Sequence, residues 1–192
     1  MWNFVNPNSV WDTIAKQNKY WSICPNHGTE EKFWEQQPDV SDWGIHKDTI
    51  FLEVGCGLGR MTRTIAPLVK EYHGLDRSSI MIQKAIVSNE EHINAKFYVG
   101  DGVSFGLFED CSFDFILEWL VFIHCPKDAI KSYIKEAHRI LKPGGVFRIR
   151  SLPKNDSYVN GFSKEEFDKV TSIFSEVIER EITNVYQLSL TK

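Results

Sequence analysis

Ile50-Phe51-Leu52-Glu53-Val54-Gly55-Cys56-Gly57-Leu58-Gly59-Arg60 is the stretch on which the reading of this chain turns. An apolar run ends in an acidic residue, three glycines follow at alternate positions, and a helical pattern begins at Arg60. That is the signature of a parallel strand, a tight turn and a helix N-terminus, in which the backbone comes close to a nucleotide-like ligand. The spacing is G-x-G-x-G and not the G-x-G-x-x-G that cradles a dinucleotide pyrophosphate. It therefore points away from a nicotinamide cofactor and toward another adenosine-containing ligand.

Working outward, the chain after residue 48 alternates short apolar runs with helical periods. Strands are predicted at 49–54, 71–75, 96–99, 113–117, 146–150, 176–182 and 185–190. Helices are predicted at 60–69, 78–88, 127–141 and 163–174. Ser78 suits an N-cap, Ser163-Lys164-Glu165-Glu166 has the capping-box pattern, and Lys142-Pro143-Gly144-Gly145 is a strong helix stop. Alternating units imply a mostly parallel, seven-stranded α/β sheet covered on both faces. The last two strands have no helix between them and should form an antiparallel hairpin at one edge. Five of the six tryptophans lie before residue 44, and two further helices are expected there, at 11–21 and 30–37. The expected organisation is a single domain over 1–192, with an aromatic-rich helical lid at 1–47 and a cofactor-binding core at 48–192.

The length of 192 residues suits one domain with a substantial core. A net charge of -4 without a basic block argues against a nucleic-acid surface. The N-terminus lacks a signal-peptide pattern, and the most apolar run, 113–123, is too short to span a bilayer and contains Asp114 and Glu118. Four scattered cysteines without a C-x-x-C pair suggest neither disulfides nor a zinc site, so a cytoplasmic location and no metal are expected.

Four acidic residues fall at or just past predicted strand ends: Glu53, Asp76, Asp101 and Glu118. Each alone reads as a solvated loop charge. Together they mark the carboxyl edge, where a doubly wound sheet builds its site. Asp76 stands where a carboxylate accepts hydrogen bonds from ribose hydroxyls.

With these in hand, the chain resembles the small, Rossmann-like class I S-adenosylmethionine-dependent methyltransferases. The matching blocks are Leu52–Arg60, Gly74-Leu75-Asp76-Arg77-Ser78-Ser79-Ile80-Met81, Val99-Gly100-Asp101-Gly102, Phe113-Asp114-Phe115-Ile116 and Arg139-Ile140-Leu141-Lys142-Pro143-Gly144-Gly145, covering about residues 48 to 150. The resemblance implies S-adenosylmethionine as cofactor and assigns roles residue by residue. Glu53 would hold the methionine ammonium, and the backbone at Gly55, Cys56 and Gly57 would pass under the cofactor. Asp76 would bind both ribose hydroxyls, with Arg77 beside it and Met81 near the adenine. Asp101 would accept from the adenine amino group, with Gly102 or Val103 offering a backbone N–H. Glu118 and Trp119 would line the pocket. Tyr20 and Trp21 would close over the methionine end. Arg60 reads either as a contact to the methionine carboxylate or as an anchor for the lid.

For chemistry, His124 in Phe122-Ile123-His124-Cys125-Pro126 is the candidate general base, since a histidine near its ordinary pKa suits proton removal at neutral pH. Its other reading is a residue packed under the following helix. The implied reaction is methylation of a small-molecule acceptor, at oxygen or nitrogen. The competing readings are a non-catalytic cofactor-binding partner of another enzyme and a protein or RNA methyltransferase. No large insertion follows residue 150, so the pocket is expected to be open or completed by a second copy in a homodimer.

Overall fold

The computed structural model describes residues 8–17, 29–153, 162–182 and 185–192. Seven strands, β1 (Ile50–Val54), β2 (Glu71–Asp76), β3 (Ala95–Val99), β4 (Phe113–Trp119), β5 (Leu141–Pro153), β6 (Glu176–Ile182) and β7 (Val185–Thr191), form one sheet in the order β3-β2-β1-β4-β5-β7-β6. β1 through β5 pair in parallel, and β7 pairs antiparallel with both β5 and β6. The strand order reverses between β1 and β4, which sets the ligand crevice of a doubly wound sheet at their carboxyl ends. The expected mixed α/β fold with its C-terminal hairpin is what the chain forms.

Among the described residues six α-helices accompany the sheet: α1 (Asn8–Lys16), α2 (Glu30–Glu35), α3 (Thr62–Ile65), α4 (Ser79–Ser88), α5 (Lys127–Ile140) and α6 (Lys164–Thr171). On one face, Ile130, Ile134 and Ala137 of α5 and Phe167 of α6 pack on Leu52, Ile116, Phe147, Ile149 and Leu190. On the other, Met61, Ile65 and Val69 pack with Trp43 on Phe51, Tyr72, Phe115 and Leu117. Phe113 and Phe115 serve opposite faces although two residues apart, and the β4–β5 register shifts between them. No helix among the described residues is long and apolar enough to cross a membrane.

Local chemistry explains the starts and stops. The Ser78 side chain accepts from Met81 N–H to cap α4, and Ser163 and Glu166 close a reciprocal capping box on α6. The predicted helix at 60–69 is cut short: α3 ends at Ile65 and a 3₁₀ turn spans Ala66–Leu68. Pro67 has no N–H to continue the α pattern, and Leu68 is left exposed rather than inward. β4 runs two residues further than predicted, so Glu118 and Trp119 are strand residues.

Candidate functional site

The crevice begins at the glycine turn. Gly55 and Gly57 have φ of 70° and 53°, a region that side chains other than glycine's seldom adopt. A Cβ on Gly55 would stand 2.3 Å from a methyl of Val121, whereas a Cβ on Gly57 would meet nothing within 4 Å. The first glycine is thus required by the β4 loop that lies on it. The second faces open space, the close approach to backbone that the turn offers a ligand.

The turn is held from the β2 side. Gly55 and Cys56 N–H both donate to Leu75 O, at 2.7 and 3.0 Å. Gly57 N–H donates to Asp76 Oδ2 at 3.0 Å, and Ser78 N–H to Asp76 Oδ1 at 2.8 Å. Each Asp76 oxygen keeps acceptor capacity beyond these bonds, so the carboxylate is pre-aimed at the turn and able to take a vicinal diol. Burial raises its pKa, opposed by the Ser78 and Gly57 N–H groups. Glu53 is buried and accepts from the Tyr72 hydroxyl. Burial pushes its carboxyl up to about 7, against the Tyr72 hydrogen bond and the Arg60 charge. A cation placed beside Glu53 would restore the carboxylate.

Asp101 anchors its own turn, accepting from Val103 N–H (2.8 Å), Ser104 N–H (2.7 Å) and Ser104 Oγ (2.6 Å). Burial acts to raise its pKa, and these bonds outweigh it and keep the carboxyl below its ordinary value. Gly102, at φ 82°, lies under Arg77: a Cβ there would stand 3.1 Å from the guanidinium carbon. Arg77 Nε is buried without a hydrogen-bond partner. The Asp76-Arg77 and Asp101-Gly102 turns therefore converge, as the sequence expectation requires, and Val103 is half-exposed at their rim. Met81 is buried with Leu58 and Ala15.

The other expected residues divide. Glu118 is fully buried, and its carboxylate accepts from Val121 N–H (2.5 Å), Phe122 N–H (2.8 Å) and Arg150 N–H (3.2 Å). It fixes the loop that seats Val121 on Gly55, so it shapes the turn through another residue. Trp119 lies between Trp43, at 6.2 Å, and the Arg150 guanidinium, 3.8 Å from its ring centroid. Arg60 donates to Gln36 O and lies 5.6 Å from the Phe33 ring centroid, so it touches α2 and the residue that follows it. His124 meets the edge of Trp11 at 5.0 Å, and burial lowers its pKa, so the imidazole is neutral at pH 7. Tyr20 and Trp21 lie outside the described residues, as does the end of the helix expected at 11–21.

Two contributors were not anticipated. Tyr72, in register with Phe51, hydrogen-bonds Glu53; the alternation of β2 carried that signal. Asp12 accepts from Ser78 Oγ and seats α1 on the start of α4, a contact 66 residues apart that no local pattern announces. Among the described residues no group of three or more His, Cys, Asp and Glu is placed to hold a metal.

Comparison with known proteins agrees with this geometry. The family described as "Methyltransferase domain" matches residues 51–145. Sterol 24-C-methyltransferase erg-4 of Neurospora crassa is 34% identical over 121 residues, covering 61% of this chain and 31% of that protein. Demethylmenaquinone methyltransferase of Staphylococcus aureus is 31% identical over 120 residues, covering 61% and 48%. The chain thus spans a third to a half of the length of these curated relatives. Phosphoethanolamine N-methyltransferase 1 of Haemonchus contortus, solved with phosphoethanolamine and S-adenosylhomocysteine, shares the fold with a TM-score of 0.71 at 13% identity, over 94% of this chain and 47% of that one. With a matching sequence block, a matching sheet and acidic residues at successive strand ends, residues 51–145 of this chain form a methyltransferase domain of the class I, S-adenosylmethionine-dependent kind.

Proposed function

We propose that the chain catalyses methyl transfer from S-adenosylmethionine to a small-molecule acceptor, at oxygen or nitrogen. The observation that carries the reading is the Asp76 carboxylate, fixed by Gly57 and Ser78 N–H groups and facing the turn with open space above Gly57. The residues present fit the cofactor's chemistry. Asp76 would accept from the ribose hydroxyls, Asp101 with the Gly102 turn would meet the adenine, and Glu53 would face the ammonium. Carboxylates suit a ligand that is cationic and lacks phosphate. When bound, S-adenosylmethionine supplies a methyl group activated by a sulfonium leaving group.

The chain's own residues then have limited work: to align the acceptor, exclude water and remove a proton where the acceptor needs it. α1 contributes exclusion, since Asp12 and Ala15 tie it to Ser78 and Lys84 and its Trp11 reaches His124. His124, neutral at pH 7, is the group able to accept a proton from a hydroxyl or ammonium acceptor. Calorimetric titration with S-adenosylhomocysteine tests the cofactor reading, repeated on Asp76→Ala. We expect binding by the wild type and at least tenfold weaker binding by the variant. Unchanged affinity of the variant would refute the ribose role. Isotopic tracing of the methyl group into product distinguishes oxygen or nitrogen from carbon, the position that the name of the Neurospora relative specifies.

A further inference from the structure

Alternate residues of a strand share one face, so Val146, Arg148 and Arg150 of β5 lie on the side occupied by Trp43, Phe115 and Trp119. Two arginines on an inner sheet face demand partners, because burying a charge is costly unless it is paired. The partners are in short supply. Arg148 is 5% exposed, and its Nη1 has no hydrogen-bond partner. Its nearest carboxylate, Asp42, is 3.6 Å away, and the other Asp42 oxygen is taken by Arg180 at 2.6 Å. Arg150 has no ion pair among the described residues, and its guanidinium carbon lies 3.8 Å from the Trp119 ring centroid. Burial lowers its pKa. Two guanidinium groups thus share one aspartate, and a third has no carboxylate partner among the described residues.

The position of Arg150 gives this imbalance a meaning. Val54 pairs with Glu118 and Glu118 with Ile149, and one residue further along Trp119 pairs with Arg150. Arg150 therefore stands level with Gly55, two strands away, at about 10 Å for strands spaced ~4.8 Å apart. The β5–β7 register shifts between Ile149 and Leu152, placing one extra residue on β5 beside Arg150. Such bulges re-aim side chains next to active sites. A half-buried guanidinium at the carboxyl edge, without an ion pair among the described residues and backed by an aromatic ring, suits the fork geometry that binds carboxylate or phosphate bidentately.

We propose that Arg150, with Arg148 beneath it, forms a subsite for an oxyanion of the methyl acceptor, so that the acceptor is an organic acid or phosphate ester rather than a neutral lipid. This rests on the methyltransferase reading for the acceptor's location, while the anion selectivity is measured independently of it.

The test compares matched pairs on the wild type saturated with S-adenosylhomocysteine: benzoate against benzamide, and phenyl phosphate against phenol. Calorimetry reads each affinity. We expect at least one anion to bind tenfold or more tightly than its neutral partner, with a preference that weakens as salt is raised. Arg150→Met should reduce the preference to within twofold, and Arg150→Lys should keep part of it. Arg150→Gln repeats the test if the methionine variant melts early, and unchanged S-adenosylhomocysteine affinity shows that each variant is folded. Equal binding of acid and neutral partner in both pairs, or a preference that survives in both Arg150→Met and Arg150→Gln, overturns the proposal. Failure of the wild type to bind S-adenosylhomocysteine sinks the methyltransferase reading instead, and the anion comparison is then read on the ligand-free protein.

Discussion

Gly55→Ala and Gly57→Ala, two residues apart in one turn, should fail in opposite ways. Both residues have positive φ, so alanine at either costs about 1–2 kcal/mol in backbone strain. At Gly55 the new methyl would stand 2.3 Å from Val121 Cγ2 and 3.0 Å from Cγ1. Val121 is β-branched and held by Glu118 through its backbone, so it cannot swing aside. Overpacking adds about 1–3 kcal/mol, for a total of roughly 2–5 kcal/mol. In a chain of this size that lowers Tm by roughly 5–20 °C. At Gly57 the methyl meets no protein atom, so only the strain remains and Tm falls by roughly 2–8 °C. That methyl occupies the space above the turn, and S-adenosylhomocysteine affinity should drop at least tenfold. Thermal melts and calorimetric titration on the two variants read both quantities. Val121→Ala removes both clashing methyls and leaves Cβ at 3.3 Å, so the double variant Gly55→Ala/Val121→Ala should recover about 1 kcal/mol or more relative to additivity. A Gly57→Ala protein that binds the ligand like wild type, or strictly additive Gly55 and Val121 effects, would refute this account of the turn.

Other expectations follow from the same geometry. Because the folded-state pKa of Glu53 is raised from 4.5 to about 7, the ligand-free fold holds an extra proton between those values. Its stability should therefore fall as pH rises through 7, a slope that Glu53→Gln removes in melts taken from pH 5.5 to 8.5. Ligand affinity should run the other way, strengthening from pH 6 to 8 as Glu53 ionises, and a flat profile in titrations would exclude Glu53 from the ammonium role. Glu118→Ala leaves three backbone N–H groups without their acceptor and should cost about 3 kcal/mol or more, seen as a loss of Tm with little change in the pH profile of binding. If His124 is the proton acceptor, His124→Asn should lower kcat by about 10²–10⁴ with S-adenosylhomocysteine affinity intact, whereas a packing role would lower Tm and leave kcat within tenfold.

How much of this could be read from the chain depends on the range of the interaction. Glu53, the three glycines, Asp76 and Asp101 were legible because strand, turn and strand-end chemistry is written in neighbouring residues. The alternation of elements likewise gave the parallel sheet and its closing hairpin, and Ser78 and Ser163 announced the helix starts that they cap. The apolar period at 61–69 predicts a longer helix than α3, because periodicity does not register Pro67, whose missing N–H ends the α pattern.

Side-chain direction was a different matter. Glu118 carried the same strand-end signal as the other acids, yet its carboxylate serves three backbone amides of the fold, because β4 extends through it and the loop turns back over it. Nothing near Arg150 in sequence marks it as unpaired: that depends on register with Trp119, on a bulge opposite β7 and on Asp42 being engaged by Arg180. The sequence by itself determined the sheet, the glycine turn and the acids at the strand ends, since each is encoded within a few residues. Only the tertiary structure decided which acid holds the β4 loop, which arginine lacks an ion pair among the described residues, and where α1 is tied, because those are balances among residues tens of positions apart.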